Sequence, residues 1–188
     1  MKSLYQNMFA VLETIEDCLE KGRAMPALVL LYSAIDAVAS LERQSGEDTK
    51  AYFKRWVEAY MLKALPPPCT ALELYAARCG IVHNFAAESD LFRKGQVRCI
   101  VYAWGTAKAE DLQKAGDILH RTDSVAVHVT DIIKAFRNGL ENYLEEISAD
   151  KLRQERVAKG LSIWLINLQP ASIEALLCMH ASISKDPT

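Results

Sequence analysis

Arg78 and His83 stand five positions apart in the run Arg78-Cys79-Gly80-Ile81-Val82-His83-Asn84, an R-x4-H spacing. A neutral imidazole exchanges its proton near physiological pH, so it can take or give one during a reaction. A guanidinium stays charged and offers paired donors to an anionic oxygen. Together the two residue types suit proton transfer beside a group that gains negative charge. On one helix the two side chains point about 140° apart around the axis with a rise of only about 7.5 Å, so the stem of Arg78 must swing back for both to meet one substrate. A composite site fits that geometry better: if two copies of the helix meet across a twofold axis, each His83 shares a cleft with the Arg78 of its own or the facing subunit. Asn84 places an amide beside the imidazole, where it can orient the ring.

Asp36 is the one charge in the apolar run Ala27 to Leu41. A carboxylate in such a run is costly unless it is paired or hydrogen-bonded. An arginine on a neighbouring helix would serve, which places Asp36 near Arg78 or His83 as an orienting group. The alternative is a hydrogen bond to a buried Tyr or Trp.

The elements that position these residues are mostly helical. Leu4, Met8, Leu12, Ile15 and Leu19 recur at helical spacing up to Gly22. Pro26 fits a first helical turn, and Ala27 to Leu41 reads as a central helix covered nearly all round. After the polar stretch Glu42 to Asp48, the stripe Phe53, Trp56, Val57, Tyr60 and Met61 marks a third helix whose aromatic residues belong to the core. Pro66 to Pro68 then end regular structure. Thr70 and Glu73 form a T-x-x-E capping box, so the helix carrying Arg78 and His83 begins at Ala71, with Leu72, Tyr75, Cys79 and Val82 along one side.

The second half changes period. Val97 to Trp104 is β-rich between Gly95 and Gly105, and Val125, Val127 and Val129 alternate with Ala126 and His128, which predicts two strands joined by a short helix over Glu110 to His120. On this reading His128 faces outward and His120 ends a helix. From Asp131 the helical period returns in one long helix reaching Lys159, followed by the apolar stretch Ser162 to Leu168, Pro170 and a loose tail from Ser182. The expected architecture is mainly α, a helical bundle with a small β-strand addition. One domain spans 1–188, with a helical core over about 4–87 and 130–159, a β-containing insertion over about 96–129 and a tail over about 182–188.

Composition narrows the function classes. With 188 residues, 51% hydrophobic and 24% charged, the chain is long enough for its own core and needs no disulfide or metal staple. The net charge of −2 supplies no overall field for nucleic acid or an anionic membrane, so any such contact is local. Five scattered cysteines without a C-x-x-C pair, and no His grouped with them, predict reduced thiols in the cytoplasm and no metal site. Acidic residues at 13, 16 and 17 argue against a signal peptide, and the run holding Asp36 is too short for a membrane span. Of the local basic groups, Lys50 with Lys54 and Arg55, and Lys151 with Arg153, Arg156 and Lys159, read as solvated helix faces. Arg93, Lys94 and Arg98, close after the motif, are the first choice for phosphate contact.

The R-x4-H element near a helix end, preceded by the apolar helix L-L-Y-S-A-I-D ending at Asp36, resembles the HEPN superfamily of small helical proteins. The resemblance covers Ala24 to Phe85 and extends to the long helix after Asp131; the strands lie outside the minimal bundle. It implies a homodimeric, metal-independent endoribonuclease with no cofactor, of the kind found as toxins in toxin-antitoxin or phage-defence systems. A nucleotidyltransferase antitoxin is the partner class it implies. By the resemblance Arg78 and His83 take the catalytic positions. His83 would remove the proton of an RNA 2′-hydroxyl, Arg78 would hold the phosphorane oxygens, and a 2′,3′-cyclic phosphate would result; Asp36 and Asn84 are supporting. The sequence departs at Cys79, where many active members carry a polar residue. The alternative is therefore a non-catalytic dimer of the same fold that binds nucleic acid, a nucleotide or a protein partner.

Overall fold

The computed structural model describes residues 2–64, 67–162, 171, 173–175 and 177–178. The readings of Pro66, of residues 163–168, of Pro170 and of the tail from Ser182 lie outside the described residues. Helix α1 (Lys2–Glu20) lays Leu4, Met8, Leu12 and Ile15 against α2 (Ala24–Ser40), as the periodicity predicts, and Gly22 turns the chain between them with φ +68°. Helix α2 packs on α1 and on three later helices through Leu28, Leu31, Tyr32, Ile35 and Val38. Its cover is not complete: Val29, Leu30, Asp36 and Ala37 are half-buried and Ser33 is exposed, so Asp36 sits on a partly open flank.

Asp48 starts α3 (Thr49–Trp56) by accepting from the Ala51 amide at 2.7 Å. Phe53 and Trp56 enter the core, and the helix widens into a π-helical turn, π1 (Val57–Met61), before the short α4 (Leu62–Ala64). The wide turn coincides with Gly139 of a later helix, where an added Cβ would lie 3.1 Å from the backbone of Tyr60 and Met61. Periodicity placed this helix but gave no sign of its local widening, which is a packing feature.

The two predicted strands exist, and they are parallel. β1 (Cys99–Ala103) pairs with β2 (Ser124–His128) from Cys99↔Ser124 to Ala103↔His128. Parallel strands need a crossover, and α7 (Ala109–Ile118) supplies it, ending two residues short of the predicted His120. The unit docks on the bundle through β1 against α5 (Ala71–Asn84) and through Tyr102, whose hydroxyl meets that of Tyr32 at 2.7 Å. His128 does not simply face outward: half-buried, it accepts through Nδ1 from the Thr130 amide and caps α8 (Val129–Ala149).

The single long helix expected up to Lys159 is two. Asp150 leaves helical geometry at φ −127° and its carboxylate accepts from the amides of Leu152 and Arg153, so it ends α8 and starts α9 (Lys151–Leu161) in one step. Arg153 is not on a solvated face either. It bridges Glu42 and Glu146 and donates to the Tyr60 hydroxyl, tying α9 to the bundle.

Candidate active site

The helix bearing the motif is set by its ends. The Thr70 hydroxyl accepts from the Glu73 amide and the Glu73 carboxylate accepts from the Thr70 amide, the reciprocal box expected from T-x-x-E. Phe85 closes α5 in the left-handed region at φ +51° and is largely exposed. The side facing the core is carried by Leu74, Ala77 and Ile81, while the expected stripe of Leu72, Tyr75, Cys79 and Val82 is only half-buried and forms a flank.

Gly80 decides what stands opposite that flank. An added Cβ there would lie 2.6 Å from the Ala86 carbonyl oxygen and 3.1 Å from that of Glu88, so only glycine lets the chain cross back over the helix. The crossing is fastened by the Ala86 amide donating to the Gly80 carbonyl, and it brings in the short α6 (Asp90–Arg93), capped by Ser89. Between α5, α6 and the start of α3 lies a cleft of about 600 Å³, large enough for a nucleotide-sized ligand. Tyr75, Cys79 and His83, at i, i+4 and i+8, line it for about 12 Å along α5. Asn84 stands beside His83 at the rim.

Asp36, Arg78 and His83 come together. Arg78 donates from Nη2 to Asp36 Oδ2 at 2.5 Å, and its Nη1 lies 2.9 Å from His83 Nε2. An arginine can only donate, so in this contact Nε2 is the accepting atom. Two of the three are shielded and one is open: the Asp36 and Arg78 side chains are 19% and 13% exposed, and the imidazole faces solvent. Burial alone would lower the proton affinity of the guanidinium; the hydrogen bond and charge of Asp36 outweigh it and raise that affinity above the ordinary arginine value. Arg78 and His83 therefore meet within one chain, where the opposed helical directions favoured a shared site between two. The long stem of Arg78 swings back as anticipated, because Asp36 on α2 pulls it toward the neighbouring helix. In the cleft His83 is the accessible member and the guanidinium stands behind it.

The remaining candidates separate. Arg93 lines this cleft and also an adjoining one of about 610 Å³, and its pair with Asp90 is an exposed surface contact of little strength. Lys94 is exposed at the end of α6. Arg98 is not free for phosphate: its Nε donates to Glu73 Oε1 at 2.7 Å and its Nη2 to the Pro68 carbonyl. Burial would raise the proton affinity of the Glu73 carboxyl, but the hydrogen bonds from Arg98 and the Thr70 backbone reverse the effect and hold it below the ordinary carboxylate range.

Two cleft residues were not selected from sequence. Tyr75, whose hydroxyl is pushed up to about 12 by burial and then by Cys79, shares the flank with His83 at two helical repeats. Lys50 faces the cleft from α3; in sequence it is one of several basic residues on a helix, and only the packing of α3 against α5 separates it from Lys54 and Arg55. Among the described residues no three His, Cys, Asp or Glu side chains cluster to hold a metal ion, and no helix is long and apolar enough to cross a membrane. Comparison with protein-family models, curated proteins and solved structures finds no match to this chain.

Proposed function

We propose that this chain is an HEPN-like endoribonuclease that cleaves RNA without a metal, acting as a cytoplasmic homodimer in a toxin-antitoxin or phage-defence setting. The observation that carries the reading is the chain of contacts from the shielded Asp36 through Arg78 to the exposed His83 at the rim of a nucleotide-sized cleft. Asp36 fixes the guanidinium, and the guanidinium meets the imidazole at Nε2. At rest, the lone pair of Nε2 is engaged by Arg78. A phosphate entering the cleft competes for the same Nη1 donor, and as the guanidinium turns to it the lone pair is released toward the 2′-hydroxyl.

The step balances without a further reactant. His83 Nε2 takes the 2′-hydroxyl proton as the O2′–P bond forms. The charge gained on the equatorial oxygens faces Arg78, the P–O5′ bond breaks, and the leaving 5′ oxygen takes a proton from solvent, giving a 2′,3′-cyclic phosphate. Asn84, next to the imidazole, supports ring orientation or contacts the ribose.

The test is cleavage of end-labelled RNA in excess EDTA. Cleavage leaving cyclic phosphate ends, reduced about 10²- to 10⁴-fold in His83→Ala, is expected for a general base. Equal cleavage by His83→Ala, or none by the folded wild-type chain, overturns the reading. Retained RNA binding without cleavage identifies the non-catalytic module instead.

A further inference from the structure

We infer that Lys50 is a phosphate-binding residue of the cleft, holding the backbone of a single nucleic-acid strand across from His83. The inference rests on the nuclease reading for the position of the scissile linkage, and on its own observations for the contact.

Lys50 lines the same cleft as Tyr75, Cys79 and His83, from the opposite wall. It is exposed and has no ion pair among the described residues, whereas the neighbouring cations of its helix are engaged, Lys54 with Glu58 and Arg55 with Glu47. Its place is also unfavourable for the helix that bears it. Lys50 is the second residue of α3, where the partial positive charge of the helix N-terminus disfavours a cation, and the acid at that end, the N-cap Asp48, turns its carboxylate to the Ala51 amide. Positions three and four residues on are Phe53 and Lys54, so no intrahelical partner is in reach. A cation that works against its own helix and faces the reacting imidazole across a cleft is explained by an anionic ligand. Two carboxylates also line the cleft, each with a partner of its own. Asp48 caps Ala51, and Asp90 pairs with Arg93. A phosphodiester between the walls meets Lys50 on one side and the imidazole of His83 on the other, and the exposed pair of Arg93 is weak enough to be exchanged for a neighbouring phosphate.

Counterion release fixes the expected effect. One phosphate contact on a single strand contributes about 0.7 to the slope of log affinity against log salt, so its loss weakens binding about eightfold at 50 mM salt and about threefold at 200 mM. The probe is a fluorescein-labelled single-stranded oligonucleotide with 2′-deoxy sugars, which binds without being cleaved. Its affinity is followed across that salt range for the full chain, Lys50→Ala, Lys50→Arg and Lys54→Ala. The expected result is a slope reduced by about 0.7 in Lys50→Ala alone, with Lys50→Arg and Lys54→Ala like the wild type. Equal slopes for Lys50→Ala and Lys54→Ala, or no binding by the wild type, overturn the inference. An all-ribose version is assayed in parallel for cleavage. A slope difference without cleavage supports the Lys50 contact and refutes only the nuclease reading.

Discussion

Replacing Asp36 with Asn tests whether the motif depends on a carboxylate one helix away. The asparagine oxygen still accepts from Arg78 Nη2, so shape and one hydrogen bond survive while the charge is lost. What remains is a guanidinium 13% exposed with no compensating anion, facing an imidazole that cannot neutralise it. Stranding one member of a fully buried pair costs about 3–5 kcal/mol; the partial exposure of both side chains reduces this to about 2–3 kcal/mol. For a domain of this size each kcal/mol moves the melting temperature by about 2–4 °C, so Asp36→Asn should melt about 8 °C below the wild type. Arg78→Gln should be destabilised comparably, because it leaves Asp36 unpaired. The double variant strands neither charge, so it should be more stable than the sum of the single losses implies, with a coupling of about 2 kcal/mol in a double-mutant cycle by urea unfolding. A coupling below about 0.5 kcal/mol would refute the linked series, because independent sites add to within that margin. RNA cleavage should fall with Asp36→Asn even at temperatures where the variant is fully folded, since a guanidinium without its anchoring charge is less firmly placed to meet the phosphate.

Two further outcomes follow from the same geometry. Gly80→Ala pushes a Cβ against the Ala86 carbonyl and should cost about 1–3 kcal/mol in unfolding free energy while displacing α6, so oligonucleotide affinity should drop with stability; an unchanged affinity would show that α6 is not a wall of the binding site. Glu73 carries a folded-state proton affinity below its ordinary value, so it stabilises the fold above about pH 4.5 and loses that contribution as pH falls through its folded value. Glu73→Gln should therefore be less stable than the wild type at pH 7 by about 1–2 kcal/mol and show a shallower loss of stability on acidification below pH 4.5, measured by urea unfolding across pH.

The parts of this protein governed by neighbours in the chain were legible in its sequence. The capping box at Thr70 and Glu73, the periodic stripe of α1, the start of the α3 stripe and the alternation of Val125 and Val127 in β2 each depend on residues within a few positions and each form as their spacing predicts, whereas Val129, the third of the alternating valines, opens α8 instead. The proximity of Asp36 to Arg78 was also legible, because a lone carboxylate in an apolar helix restricts its partners to few choices. Other features depend on which elements pack together. Asp150 continues the helical period in sequence, yet its carboxylate serves the next helix better than its own backbone serves α8. Arg98 follows the motif closely but is drawn to Glu73 by the docking of the β unit on α5. Lys50 and His83 lie far apart in the chain, and only the crossing at Gly80 and the packing of α3 on α5 turn them into opposite walls of one cleft. Local hydrogen bonds and periodicity act over one or two turns, so they are written in the sequence; a cleft is formed by surfaces left uncovered after every longer-range contact is made, and that the tertiary structure alone decides.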